Sequence, residues 1–146
     1  IPPSMMAQSW MGSDFTNDDL LKESSIVVDY NHKIIGNDTI EGFDCYKIKL
    51  IPKPEAAIVW GKVILWISKD KYYQLKAEYY DEIDTLINTQ FGTEIEKVGN
   101  RNLPTKLTMI PADKEGNQTI LKLVDMKFDK DIPTSFFSQQ NMKKVR

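Results

Sequence analysis

The chain has 146 residues, with 19 basic and 21 acidic side chains and a formal net charge of -2. This length fits one domain with a real core, and the scattered, balanced charge carries no electrostatic footprint for nucleic acid. The single Cys45 excludes an internal disulfide, one His and one Cys cannot make a zinc ligand set, and no stretch approaches the roughly 20 apolar residues a spanning helix needs.

The chain begins Ile1-Pro2-Pro3-Ser4, which reads as a processed protein, an expressed domain or a piece of a longer chain. Over residues 4–23 the pattern does not alternate. Thr16 and Asp19 have capping-box spacing, and Phe15 and Leu20 have the spacing of a hydrophobic staple, so a short helix is predicted from Thr16 to Glu23. Such a helix is too short to stand alone and must dock. Met5, Met6, Trp10, Met11 and Phe15 just before it are adaptable apolar groups that also need cover.

From residue 25 the pattern is strand after strand. Ser25–Tyr30 and Lys33–Ile35 lead to a predicted turn at Gly36-Asn37-Asp38, with a further bend at Glu41-Gly42. Phe43–Ile51 alternates, with Tyr46, Ile48 and Leu50 on one face and Cys45, Lys47 and Lys49 on the other; Pro52 and Pro54 end it. Ile58–Ile67 differs in kind. One face carries Val59, Gly61, Val63, Leu65 and Ile67, the other Ile58, Trp60, Lys62, Ile64 and Trp66, so both faces need cover. Either a second layer of protein or an apolar ligand must supply it.

Ser68–Lys71 reads as a polar hairpin connection, and Tyr73–Tyr80 as the returning strand, with Tyr73, Leu75, Ala77 and Tyr79 on one face. A strand from Thr85 to Val98 is bent or bulged near Gly92. Gly99-Asn100 turns it into Leu103–Ile110, and after a polar loop Thr119–Phe128 forms the last strand. Pro133 opens a short helical turn ahead of a basic tail. About seven strands with short connections, and no 10–15-residue helical pattern between them, make an antiparallel meander. Long strands coil, so the fold class expected is mainly β: a strongly curved antiparallel sheet, with short helices near residues 16–23 and 133–140 covering it. A wide curved sheet with little helix to fill it is a container.

Catalytic chemistry finds no carrier. His32 sits in an Asn-His-Lys run without a fixed partner, Cys45 reads as a semi-buried filler, and the acidic cluster at residues 14–19 lacks the glycine and distal Glu of a calcium loop. No metal and no cofactor are expected. Asn37-Asp38-Thr39 and Asn117-Gln118-Thr119 match the glycosylation pattern but read as turn chemistry. Trp60 and Trp66, taken as sharing a strand face, would stand about 20 Å apart, too far to stack neighbouring bases or sugars but suited to lining an elongated apolar surface.

The segment QSWMGSDFTNDDL (8–20), the run YKIKLIPKP (46–54), VWGKV (59–63) and Asp131-Ile132-Pro133 together resemble the bacterial outer membrane lipoprotein-sorting proteins, a branch of the superfamily of periplasmic lipoprotein carriers and outer-membrane acceptors. The resemblance runs through nearly the whole chain and is most specific in residues 8–20. It implies an unclosed, curved antiparallel barrel with helices across its mouth, no enzymatic role, and a cavity for acyl chains of lipids or lipoproteins. It implies a place in the periplasm or at the periplasmic face of the outer membrane. It also implies that residues 1–146 form one carrier-like domain, the C-terminal portion of a larger mature protein.

The candidate lining or lid residues are Trp10, Met11, Phe15, Trp60, Ile64, Trp66, Tyr73 and Leu75. The expected partner is a lipid or acylated lipoprotein. The alternative is a cell-envelope sensor or protein-interaction domain, using the same sheet on an envelope protein or on a second copy of itself through an exposed strand.

Overall fold

The computed structural model describes residues 3–21, 26–56 and 58–143. Seven strands form one sheet in chain order, every neighbouring pair antiparallel. They are β1 (Tyr30–Ile40), β2 (Phe43–Pro52), β3 (Lys62–Ser68), β4 (Gln74–Tyr80), β5 (Leu86–Val98), β6 (Arg101–Pro111) and β7 (Thr119–Lys122). Short helices α1 (Pro3–Met6), α2 (Asn17–Leu21) and α3 (Ile26–Asp29) precede the sheet. A 3-10 turn (Thr134–Phe137) and α4 (Gln139–Met142) follow it. The expected end of α2 at residue 23 and the residues of the basic tail after 143 lie outside the described residues.

The sheet is curled but not closed. Laid flat, seven strands span about 29 Å from first to last. Yet Tyr30 on β1 and Leu121 on β7 line one common cavity. Their strands do not pair with each other, so the barrel is left open between β1 and β7.

Several boundaries differ from the sequence pattern, each for a local reason. Residues 26–29 are helical rather than extended, and the strand begins at Tyr30. Gly36 does not turn the chain; it sits at a register shift inside a continuous β1. The turn falls at Glu41-Gly42, where φ is 49° and 81°. Two central residues with positive φ make the tight hairpin whose twist matches its strands. The two-faced strand is shorter than Ile58–Ile67, because the chain enters β3 only at Lys62.

On β4, Gln74 pairs with Ile67 and Lys76 with Trp66, so Leu75 is an extra residue. That irregularity reverses the alternation. Tyr73 and Leu75 therefore pack on the opposite face from Ala77 and Tyr79, not with them. In β5 the backbone takes a left-handed φ of 52° at Glu94, two residues past Gly92. β7 stops at Lys122 rather than Phe128. The C-terminal turns do not cover the sheet: residues 131–140 are exposed, and Phe136 and Phe137 stack edge-on against each other.

Both faces of β3 are covered, as its sequence requires: Val63, Ile64, Leu65 and Trp66 are all buried. Val63 and Leu65 join Tyr30, Leu50, Trp60 and Ala77 on the inner face. Ile64 and Trp66 join Cys45 and Leu75 on the outer face. Among the described residues the outer cover comes from side chains of the sheet itself. The Lys47 and Lys76 ammonium groups stand 5.0 Å and 4.3 Å from the centre of the Trp66 ring, with their stems laid over apolar surface. The Trp66 indole N–H donates to Asp38 Oδ2 at 2.9 Å. That bond, ahead of the Thr39 amide and the nearby lysines, holds the exposed Asp38 carboxyl below its ordinary value.

Candidate functional site

Every strand contributes to one cavity of about 250 Å³ on the inner face of the sheet. Tyr30, Leu50, Leu65, Gln74, Gln90, Leu107 and Leu121 supply one lining residue from each strand in turn, and Leu123 and Met126 extend the wall beyond β7. The lining is mostly aliphatic because the inner positions of β2, β3, β6 and β7 are Leu and Val. Tyr79 and Trp60 add aromatic wall, their rings 5.1 Å apart and tilted by 47°.

The N-terminal segment spans the open side, and its sequence motif explains how. Trp10-Met11-Gly12-Ser13 is a tight turn: φ is 51° at Met11 and 76° at Gly12, and the Ser13 amide donates to the Trp10 carbonyl at 3.0 Å. The turn folds 9–16 into a small hairpin closed by the Trp10 amide on the Phe15 carbonyl. Asp14 ties the hairpin to the far edge of the sheet. Its amide donates to Thr119 Oγ1 at 3.1 Å, and that hydroxyl donates to Asp14 Oδ2 at 2.6 Å. Thr119 lies on β7, so the hairpin is anchored beside the gap in the barrel.

Thr16 then caps α2. Its amide and hydroxyl donate to Asp19 Oδ2 at 2.7 Å and 2.8 Å, and the Asp19 amide donates back to Thr16 Oγ1 at 3.2 Å. This is the capping box predicted from spacing, with Asp in place of Glu, and such a cap contributes on the order of 1 kcal/mol. It turns Phe15, Asp18, Asp19 and Leu20 onto the cavity.

The sheet contributes the Gln74 and Gln90 side chains to the lining, and α2 contributes its two carboxyl groups. Asp18 is buried. Burial, foremost, raises the Asp19 carboxyl above its ordinary value, against the pull of the Thr16 hydrogen bonds; the charge of Asp18 adds to the rise. The Trp60 indole N–H approaches Asp19 closely enough to favour its charge, the smallest of these effects, but outside ordinary hydrogen-bond geometry. Burial also raises the Tyr30 phenol, with Asp18, Asp19 and Asp29 adding to the rise.

The predicted site residues divide. Phe15 and Trp60 line the cavity. Trp10 is half-buried in the hairpin, and Met11, 87% exposed at the tip of its turn, points into solvent. Ile64, Trp66, Tyr73 and Leu75 lie on the outer face; Leu75 edges a shallow depression there with Phe43 and Ile95. Trp60 and Trp66 therefore do not share a strand face. Trp60 precedes β3, and strand alternation starts only after Gly61. Sequence reasoning missed Leu50, Leu65 and Leu107, whose signal was the plainer aliphatic alternation of β2, β3 and β6.

A His32 ring N–H donates to the Ile26 carbonyl at 2.7 Å, and burial pushes the Cys45 thiol up, away from thiolate character. Among the described residues no group of His, Cys, Asp and Glu could hold a metal ion, and no helix is long and apolar enough to cross a membrane.

Similarity to known proteins follows the fold. A DUF1329 family protein from Desulfovibrio piger is 26% identical with a TM-score of 0.83, over 94% of this chain and 56% of that one. A LolA superfamily protein from Nitrosomonas europaea is 24% identical with a TM-score of 0.77, over 92% and 60%. A domain from Vibrio parahaemolyticus, ascribed to an outer membrane lipoprotein-sorting protein, is 22% identical with a TM-score of 0.80, over 98% and 60%. The chain thus spans between 56% and 60% of the length of these structures. Comparison with curated proteins gives no match. A family model described as "Uncharacterized protein"-like matches residues 1–144.

Proposed function

We propose that this chain, which belongs to the family matched over residues 1–144 and has the fold of the LolA superfamily, is a binding protein for the acyl chains of lipids or lipoproteins. Its place would be the periplasm or the periplasmic face of the outer membrane, in the sorting of lipoproteins to that membrane. The observation that carries this reading is a cavity lined from all seven strands, with aliphatic wall from β2, β3, β6 and β7. Acyl chains need continuous apolar surface and few directional groups, and burying one is worth roughly 0.8 kcal/mol per CH₂. At about 250 Å³ the space is at the small end for ligand pockets and suits one chain segment rather than a whole lipid. The role is binding rather than catalysis.

Filling the cavity tests the reading. Leu107→Trp puts an indole into the cavity wall. Binding of an acyl-chain fluorophore should fall at least tenfold, while the circular dichroism spectrum stays that of the parent. Undiminished binding in a folded Leu107→Trp protein would remove the cavity from the account.

A further inference from the structure

Besides the Gln74 and Gln90 side chains of the sheet, the cavity has a group of polar atoms where α2 meets Trp60. Trp60 is only 7% exposed, and its indole N–H, on the cavity wall, has no hydrogen bond. Buried N–H groups almost always have partners, and one without carries a desolvation cost that a ligand could relieve. Beside it stands Asp19, whose Oδ2 is held by Thr16 while Oδ1 lies outside that capping pair. Asp18, also buried, follows the same wall. A donor and carboxyl acceptors thus meet at the end of a greasy space that α2 overhangs.

We propose that this corner recognises the polar end of the cargo: the Trp60 N–H donates to an ester or amide carbonyl at the start of an acyl chain, and Asp19, with Asp18, accepts from a hydroxyl or amine next to that carbonyl. The proposal rests on the acyl-binding reading above and adds the chemistry of the head. Two acidic side chains at this position disfavour a free fatty-acid anion, which brings a like charge and no donor. A glycerol ester and the acylated N-terminal residue of a lipoprotein share the required chemistry.

Displacement of an environment-sensitive dye measures the head directly. 1-Palmitoylglycerol and 1-O-hexadecylglycerol differ in one carbonyl and keep the same hydroxyls. The parent protein should bind the ester about fivefold more tightly than the ether, the worth of one net hydrogen bond. It should bind palmitate more weakly than the ester. Trp60→Phe keeps a ring against Tyr79 but removes the N–H, and should equalise ester and ether. S-(2,3-bis(palmitoyloxy)propyl)-cysteine serves as the lipoprotein-derived arm; whichever of it and 1-palmitoylglycerol binds more tightly names the source of the head.

Equal affinity of the parent protein for ester and ether overturns the proposal, as does an ester preference that survives in Trp60→Phe. If Trp60→Phe does not fold, the parent's ester–ether comparison decides alone. Binding of both without preference leaves the acyl-binding reading standing and ends this one; binding of neither ends both.

Discussion

Trp66→Ala is expected to lower the unfolding free energy by about 3–5 kcal/mol, the range for deleting a large buried aromatic side chain. Trp66 is 2% exposed at the centre of the outer face. The substitution removes the ring on which Lys47 and Lys76 lie, the packing against Cys45, Ile64 and Leu75, and the bond to Asp38. Among the described residues no helix packs into this cluster, so the loss cannot be made good by a shift of α2. Because Trp66 does not line the cavity, acyl binding by the folded fraction should be unchanged. Urea denaturation monitored by circular dichroism gives the free energy. A cost below about 1 kcal/mol would mean that the outer face is not a second core.

Gly61→Ala should be comparably severe for a different reason. An added Cβ at Gly61 would stand 2.3 Å from the Asp81 carbonyl oxygen and 2.7 Å from Glu82 Cα. Both are backbone atoms, and Gly61 itself donates to the Tyr80 carbonyl at 2.9 Å, so neither strand can step aside without breaking the pairing. Overpacking a core costs about 1–3 kcal/mol, and a contact fixed by backbone on both sides belongs at or above the top of that range. Gly36→Ala provides the control, since nothing lies within 4 Å of its added carbon. Thermal unfolding of the two variants should separate them clearly; equal melting temperatures would contradict the close approach at Gly61.

Part of this structure is written plainly in the chain. Thr16 and Asp19 announce the cap because a capping box needs only local spacing, and the structure forms it reciprocally. The need for cover on both faces of Val63–Trp66 is equally local, since strand alternation fixes which side chains oppose each other. What defeated the pattern were the places where one residue shifts the phase. The irregularity at Leu75 sends Tyr73 and Leu75 to the outer face, and Gly61 separates Trp60 from the strand it would otherwise join. A one-residue slip reverses every side chain beyond it, and nothing in a single sequence marks where the slip falls.

The candidate site was legible in its motif more than in the placement of its residues. The segment 8–20 was distinctive as a motif, and the structure gives its members separate tasks. Met11 and Gly12 make the turn, Asp14 grips Thr119, Phe15 is buried against the cavity, and Thr16 with Asp19 caps α2. The Asp14–Thr119 contact joins residues 105 apart, which no local pattern discloses. Met11, expected as lining or lid, is exposed because the turn places it at the tip.

On the proposed function, the cavity between the curled sheet and the N-terminal segment holds acyl chains. Native mass spectrometry of the protein purified from its own host should then show a ladder of adducts whose masses, after release, are those of acyl-bearing lipids or lipopeptides, and their loss in Leu107→Trp. A parent protein that appears only at its unliganded mass, or adducts that persist unchanged in Leu107→Trp, would contradict it.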